Sequence, residues 1–185
     1  QGMSNTKTQN DSKSNKRKNE EPQQDDEEIV DVDFDLFNYQ PSDWHYVKEL
    51  IKTYLEDHAF NISEFADLII AQVGIGSAIR VDDSEESYGF ITTVNLTKHK
   101  EKQSVKQIKD YIISKTEDAK TKKTFEDLFN DDSKQVGLII HERVLNIPPQ
   151  LGPPMLKLMF QEILTDIEDV GPDCEWNLDW YFVIT

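Results

Sequence analysis

The chain has 185 residues, and its 36 Asp and Glu against 20 Lys and Arg leave a formal net charge of -16. Such an excess repels nucleic acid and anionic lipid at long range and attracts basic surfaces, so direct nucleic-acid reading and membrane-surface binding are disfavoured. Hydrophobic residues at 37% suffice for one core. A single cysteine, Cys174, excludes an internal disulfide, and no Cys/His set has the spacing of a zinc site. No apolar run approaches the roughly 18 residues that span a bilayer, and the polar N-terminus is unlike a signal peptide. A reducing compartment is therefore expected, with the triplets Asn61-Ile62-Ser63 and Asn95-Leu96-Thr97 left unglycosylated.

Gln1-Gly2 before Met3 reads as a tag scar. Residues 1–35 read as a disordered, charged head, because no apolar side chain lies between Met3 and Ile29 to offset the entropy of ordering. Its charge is segregated. Lys13, Lys16, Arg17 and Lys18 suit nuclear import recognition, whereas Asp25, Asp26, Glu27 and Glu28 form an acidic block that either solvates the head or binds a partner. Asp31, Asp33 and Asp35 continue that block between Val32, Phe34, Leu36 and Phe37, as hydrophobic anchors in an acidic arm.

Residues 36–185 read as one α/β domain, with folded structure beginning near Pro41. Val47, Leu50, Ile51, Tyr54 and Leu55 recur at helical spacing after the starters Ser42 and Asp43. A second helix places Ile62, Phe65, Ala66, Leu68, Ile69 and Val73 on one face, capped by Asn61 or Ser63 and stopped by Gly74. Residues 77–81 and 88–96 form a predicted hairpin around the acidic turn Asp82-Asp83-Ser84-Glu85-Glu86. Residues 98–123 carry nine Lys against four acids, with a helix starting near Ser104, and residues 125–129 are predicted as a short helical turn. Residues 135–145 form a strand whose Val136-Gly137-Leu138-Ile139-Ile140 run should be buried on both faces. A proline corner at 147–154 leads into the longest helix, where Met155, Leu156, Met159, Phe160, Ile163, Leu164 and Ile167 make a wide apolar stripe ending before Gly171-Pro172. Residues 176–185 are a last strand with Trp176 and Trp180 on one face. The order implies a mixed central sheet flanked by helices, and the finish within an apolar strand reads as a domain missing its C-terminal part.

None of the candidate catalytic motifs assembles. Gln72-Val73-Gly74-Ile75-Gly76 leaves a helix and enters a strand, the reverse of a phosphate loop, so it reads as a helix C-cap. His141 and Glu142 are strand neighbours and point to opposite faces. Cys174 lies beside Asp173 and Glu175, which disfavour a thiolate, so it reads as a packed cysteine. The turn holding Asp82, Asp83, Glu85 and Glu86 is a candidate partner surface for Lys and Arg. Plain solvation remains open, while calcium lacks the EF-hand pattern.

The stretch from Val136 to Gln150 and the helix start Pro153-Pro154-Met155 resemble the BCCIP family, in particular its fungal members. Leu68-Ile69-Ile70-Ala71-Gln72-Val73-Gly74, Tyr88-Gly89-Phe90, Val32-Asp33-Phe34-Asp35 and the late aromatic strand add to the match, which runs from about Glu27 onward. The resemblance implies a nuclear protein that shuttles to the cytoplasm in the export of cargo, with a fold similar to GNAT acetyltransferases but without their activity. It further implies escort of a basic ribosomal protein of the large subunit, contact with the nuclear import and export machinery, and no cofactor. The alternative is an acetyl-CoA-dependent N-acetyltransferase of GNAT type. Against it, the corner at 146–154 holds four prolines and one glycine where such enzymes cradle pyrophosphate with backbone N–H groups.

Overall fold

The computed structural model describes residues 33–56, 58–72, 74–81 and 84–184. A five-stranded sheet in the order β1-β2-β3-β4-β5 forms the middle layer. Its strands are β1 (Phe34–Phe37), β2 (Ser77–Val81), β3 (Gly89–Asn95), β4 (Val136–Arg143) and β5 (Trp180–Val183). The first four pair antiparallel, and β4 and β5 are parallel. A parallel pair needs a crossover, which α5 (Gly152–Val170) supplies on one face of the sheet. The other face is covered by α1 (Trp44–Leu50), α2 (Ile62–Ala71), α3 (Gln103–Lys115) and α4 (Ala119–Asn130).

Two cores follow from the pleat. In β4, Val136, Leu138 and Ile140 pack toward α1, α2 and α3, while Ile139 packs toward Met155, Met159 and Ile163 of α5. This two-sided burial accounts for the unbroken apolar run. Of the buried polar side chains of β3, Thr92 and Asn95 are partnered, whereas the Thr93 hydroxyl has no partner among the described residues. Thr92 accepts from Gln72 at 2.8 Å and donates to the Ile75 carbonyl at 3.2 Å. Asn95 is 1% exposed and its amide donates to Gln135 and to the Glu175 carbonyl, so this glycosylation triplet is spent inside the fold.

Several predicted elements stand as read, including the α2 cap, where the Asn61 side chain accepts from the Glu64 N–H at 3.2 Å. Four readings are corrected. First, Phe34 and Asp35 belong to an edge strand rather than to a disordered head, since Phe34 and Leu36 pack toward the α5 side while Asp35 alternates with them. Acids on an edge strand discourage further pairing, which is why the segment resembles an acidic tail in sequence. Second, residues 125–129 are the end of a full helix. Its N-cap Asp118 accepts from Thr121 N–H at 2.7 Å, and Phe125, Leu128 and Phe129 lean on the core without being fully buried.

Third, Trp176 and Trp180 do not share a strand face. The Asn177 and Leu178 amides donate to the Cys174 and Trp176 carbonyls, so a turn separates the two rings. Trp176 is buried and Trp180 is 54% exposed. Fourth, the α5 stripe is narrower than its sequence, with Leu156 and Leu164 at the surface.

Candidate partner-binding surface

The site is built around Asp43, which the sequence offers only as a helix starter. Its carboxylate is fully buried and accepts from the Gln40 N–H at 2.7 Å, the Ser87 hydroxyl at 2.5 Å and Arg80 Nη2 at 3.1 Å to both oxygens. The network pins the start of α1 to β2 and to the end of the acidic turn. Glu85 and Glu86 are exposed there, and Glu86 accepts from the Tyr88 hydroxyl at 3.1 Å. Asp82, Asp83, the Asp25 to Glu28 block and the Lys13, Lys16, Arg17, Lys18 cluster lie outside the described residues.

The lysine-rich segment is not a bare cationic face. Lys98 pairs with Glu175, Lys100 with Asp132 at 2.5 Å, Lys106 with Glu101 at 2.9 Å, Lys115 with Glu56 at 2.6 Å and Lys123 with Asp127 at 3.0 Å. Exposed pairs of this kind add little stability, but they compensate the positive charge where it stands. Lys109 is turned inward over the Phe129 ring at 5.4 Å, and burial pushes its ammonium pKa down. The C-terminal half of α5 shows the opposite balance. Asp166, Glu168 and Asp169 lie near its C-terminus, where the helix dipole disfavours anions, and no basic residue occupies the last turn.

The candidate enzyme features have structural uses. Helix α2 ends at Ala71 with Gln72 extended as its C-cap, so Gly74 and Gly76, with φ of 86° and 94°, shape the turn into β2 rather than cap the helix, and the Gly76 N–H donates to the chain's own Glu162 at 2.8 Å. Burial raises the Glu162 pKa, and that N–H partly offsets it. Cys174 is buried in the α5 core. Burial, then Arg143, hold the His141 pKa below its usual value. The 146–154 corner is indeed the β4-to-α5 connection. Pro153 and Pro154 remove two N–H groups from the first turn of α5, and the Gly152 N–H is taken by the Pro149 carbonyl. What sequence reasoning missed, besides Asp43, is a cavity where Tyr54, Tyr111 and Glu142 meet. These residues come from three separate elements, and no local spacing relates them.

The structure is thus a mixed α/β domain whose most distinctive chemistry is an acidic surface. Residues 29–185 match the model of the BCCIP family, and the chain belongs to that family. It is 33% identical over 149 residues to the protein BCCIP homolog of Arabidopsis thaliana, covering 80% of this chain and 46% of that protein. With protein bcp-1 of Neurospora crassa it shares 35% identity over 162 residues, covering 84% and 54%. The crystal structure of BCP1 from Saccharomyces cerevisiae superposes with a TM-score of 0.60 at 28% identity, covering 84% of this chain and 66% of that one. The chain spans about half the length of these curated relatives. None of these names states an enzymatic activity.

Proposed function

We propose that the protein works without catalysis, as an acidic nuclear chaperone and transport adaptor. In this reading it binds and escorts a basic ribosomal protein of the large subunit and supports nuclear export of cargo. The observation that carries the reading is the charge balance of the domain: residues 44–97 sum to -6 and residues 124–185 to -9. Five lysines of the intervening segment are engaged by acids, so little cationic surface is left to recruit polyanions. Membership of the BCCIP family supports the same reading. Carboxylates that cover the Lys and Arg of a client raise its encounter rate and hold it away from RNA.

A basic large-subunit ribosomal protein should bind with an affinity that falls about tenfold or more between low and physiological salt, because screening shortens the reach of the field. Removing the residues before Glu27 should slow association more than it speeds dissociation. Stopped-flow and equilibrium titrations over a salt series measure both, and a complex indifferent to salt rules out charge as the binding device. Lys13, Lys16, Arg17 and Lys18 are proposed as the import element. Replacing all four with Ala should move a fluorescent fusion toward the cytoplasm with its melting temperature unchanged. An unmoved fusion would leave the cluster without that role.

A further inference from the structure

We propose that the outer edge of β1 seats an added strand from a basic protein partner, an extended segment in which Lys or Arg alternates with apolar residues. The inference rests on the escort reading and gives it a place on the molecule. In the sheet order β1 lies at one margin, with β2, β3 and β4 between it and β5, and among the described residues it pairs with β2 alone. Alternate residues of a marginal strand turn their N–H and C=O groups away from their one neighbour. They form a ready template for another chain.

This edge is held firmly. Tyr39, just beyond it, donates its hydroxyl to the Ile91 carbonyl at 2.5 Å, and the Arg80 guanidinium lies 4.8 Å from the Phe37 ring while both carboxylate oxygens of Asp43 grip it. A strand fixed in advance has little left to order when a partner adds to it. One face of the edge is also acidic. Asp33 and Asp35 are exposed and alternate with the partly buried Phe34 and Leu36, and no ion pair among the described residues includes either acid. Phe34 lies opposite Val81, so β1 starts beside the point where the acidic turn begins, and Glu85 and Glu86 of that turn are exposed. Arg80, opposite Asp35, is already bound by Asp43.

Charge chooses the occupant. A second copy would set the acids of one β1 against those of the other, with a net charge of -16 on each chain, and like charges across a ladder oppose pairing. The acids that discourage such pairing complement a strand whose Lys or Arg side chains stand beside Asp33 and Asp35, about 5 Å away across the ladder. The alternate residues of that strand fall on the α5 side, next to Phe34 and Leu36, and are therefore apolar. With only four residues β1 holds one short stretch, an anchor for the client and not its whole interface.

The test is an NMR titration of the full chain, at low salt, with a short peptide that alternates Lys and Val. Two controls share its length: one alternates Glu and Val, and the other keeps Lys and Val but carries N-methyl groups along its bonding edge. The Lys peptide should be half bound at about 0.1 mM and, near saturation, should slow hydrogen exchange of the outward amides of residues 34–37 about tenfold. The Glu peptide should not bind there. N-methylation should weaken the Lys peptide about tenfold, because the ladder bonds are lost while the charge remains. Asp35→Thr keeps a residue suited to strands but removes a carboxylate, so it should weaken the Lys peptide about threefold with the melting temperature unchanged. The peptide controls use the native chain, so the answer does not hang on the folding of that variant.

A methylated peptide that binds as well as its parent would reduce the contact to charge attraction and overturn the added strand. Shifts confined to other strands, or no binding up to about 2 mM, far beyond the expected midpoint, would do the same. So would outward β1 amides that are already protected in the free chain, since the edge would then be filled from within. Loss of that protection on removing the residues before Glu27 would name the head as the occupant. Salt-dependent client binding that leaves residues 33–37 unchanged would sink the anchor alone. A peptide seated on β1 in a chain that ignores basic clients would sink the escort reading instead.

Discussion

Replacing Asp43 with Ala should lower the stability of the domain by about 3–5 kcal/mol, the usual cost of removing one partner from a buried ion pair. The carboxylate is fully buried and the Arg80 side chain only 15% exposed, so the guanidinium left behind cannot be rehydrated without opening the fold. The loss would spread through the pieces that Asp43 ties together. The Gln40 N–H and the Ser87 hydroxyl lose their acceptor, and Arg80, which lies 4.8 Å from the Phe37 ring, loses the anchor that holds it against β1. Ser87→Ala removes a single neutral partner and should cost about 1 kcal/mol. In a domain of this length the Asp43 change corresponds to a fall of roughly 10 °C in melting temperature. Urea unfolding of both variants measures the difference. An Asp43→Ala loss no larger than that of Ser87→Ala would show that the network is decorative.

Asp43 also marks where sequence reading reached its limit. Its local context, just after Pro41-Ser42 and before a helical pattern, is that of a helix starter, and the start of α1 was legible, although the Asp43 side chain caps nothing in α1 and accepts from the Gln40 N–H instead. The partners that give it a second role lie 37 and 44 residues away, and spacing carries no sign of them. The same distinction separates the other elements. Helix α2, the β2–β3 hairpin, β4 and α5 were legible because each buries a dense apolar set with clear stops. Strand β1 hides because its two inward residues alternate with acids, and α4 because it carries only three aromatic or aliphatic contacts on twelve residues.

The acidic character of the surface was legible as a sum. Its local compensation was not, since Lys98 and Glu175, or Lys115 and Glu56, meet only in the folded chain. The cavity at Tyr54 and Glu142 is the extreme instance, because His141 and Glu142 were weighed only as neighbours on a strand. Glu142 shares that cavity with a tyrosine 88 positions earlier, a neighbour that no local spacing signals.

Gly76→Ala should be far more damaging than Gly74→Ala, although both glycines have positive φ, at 94° and 86°. For an ordinary side chain that backbone region alone costs about 1–2 kcal/mol, and this should be the whole effect at Gly74, where a Cβ meets nothing within 4 Å. At Gly76 the same atom would lie 2.2 Å from the Ile91 carbonyl oxygen and 2.9 Å from Thr92 Cα. Those are backbone atoms of the central strand β3, which pairs on both sides and cannot move without disturbing β2 and β4. The Gly76 N–H bond to Glu162, which ties this connection to α5, would be displaced with it. A loss of about 3 kcal/mol or more is expected, in the range of severe overpacking and backbone strain. Urea denaturation of the two variants side by side separates the contributions, because φ is shared and only the close approach differs. Equal losses would mean that β3 gives way easily. A larger loss at Gly76 would establish that this glycine pair exists to let two backbones and a carboxylate meet, a use that leaves no free N–H cradle for a phosphate.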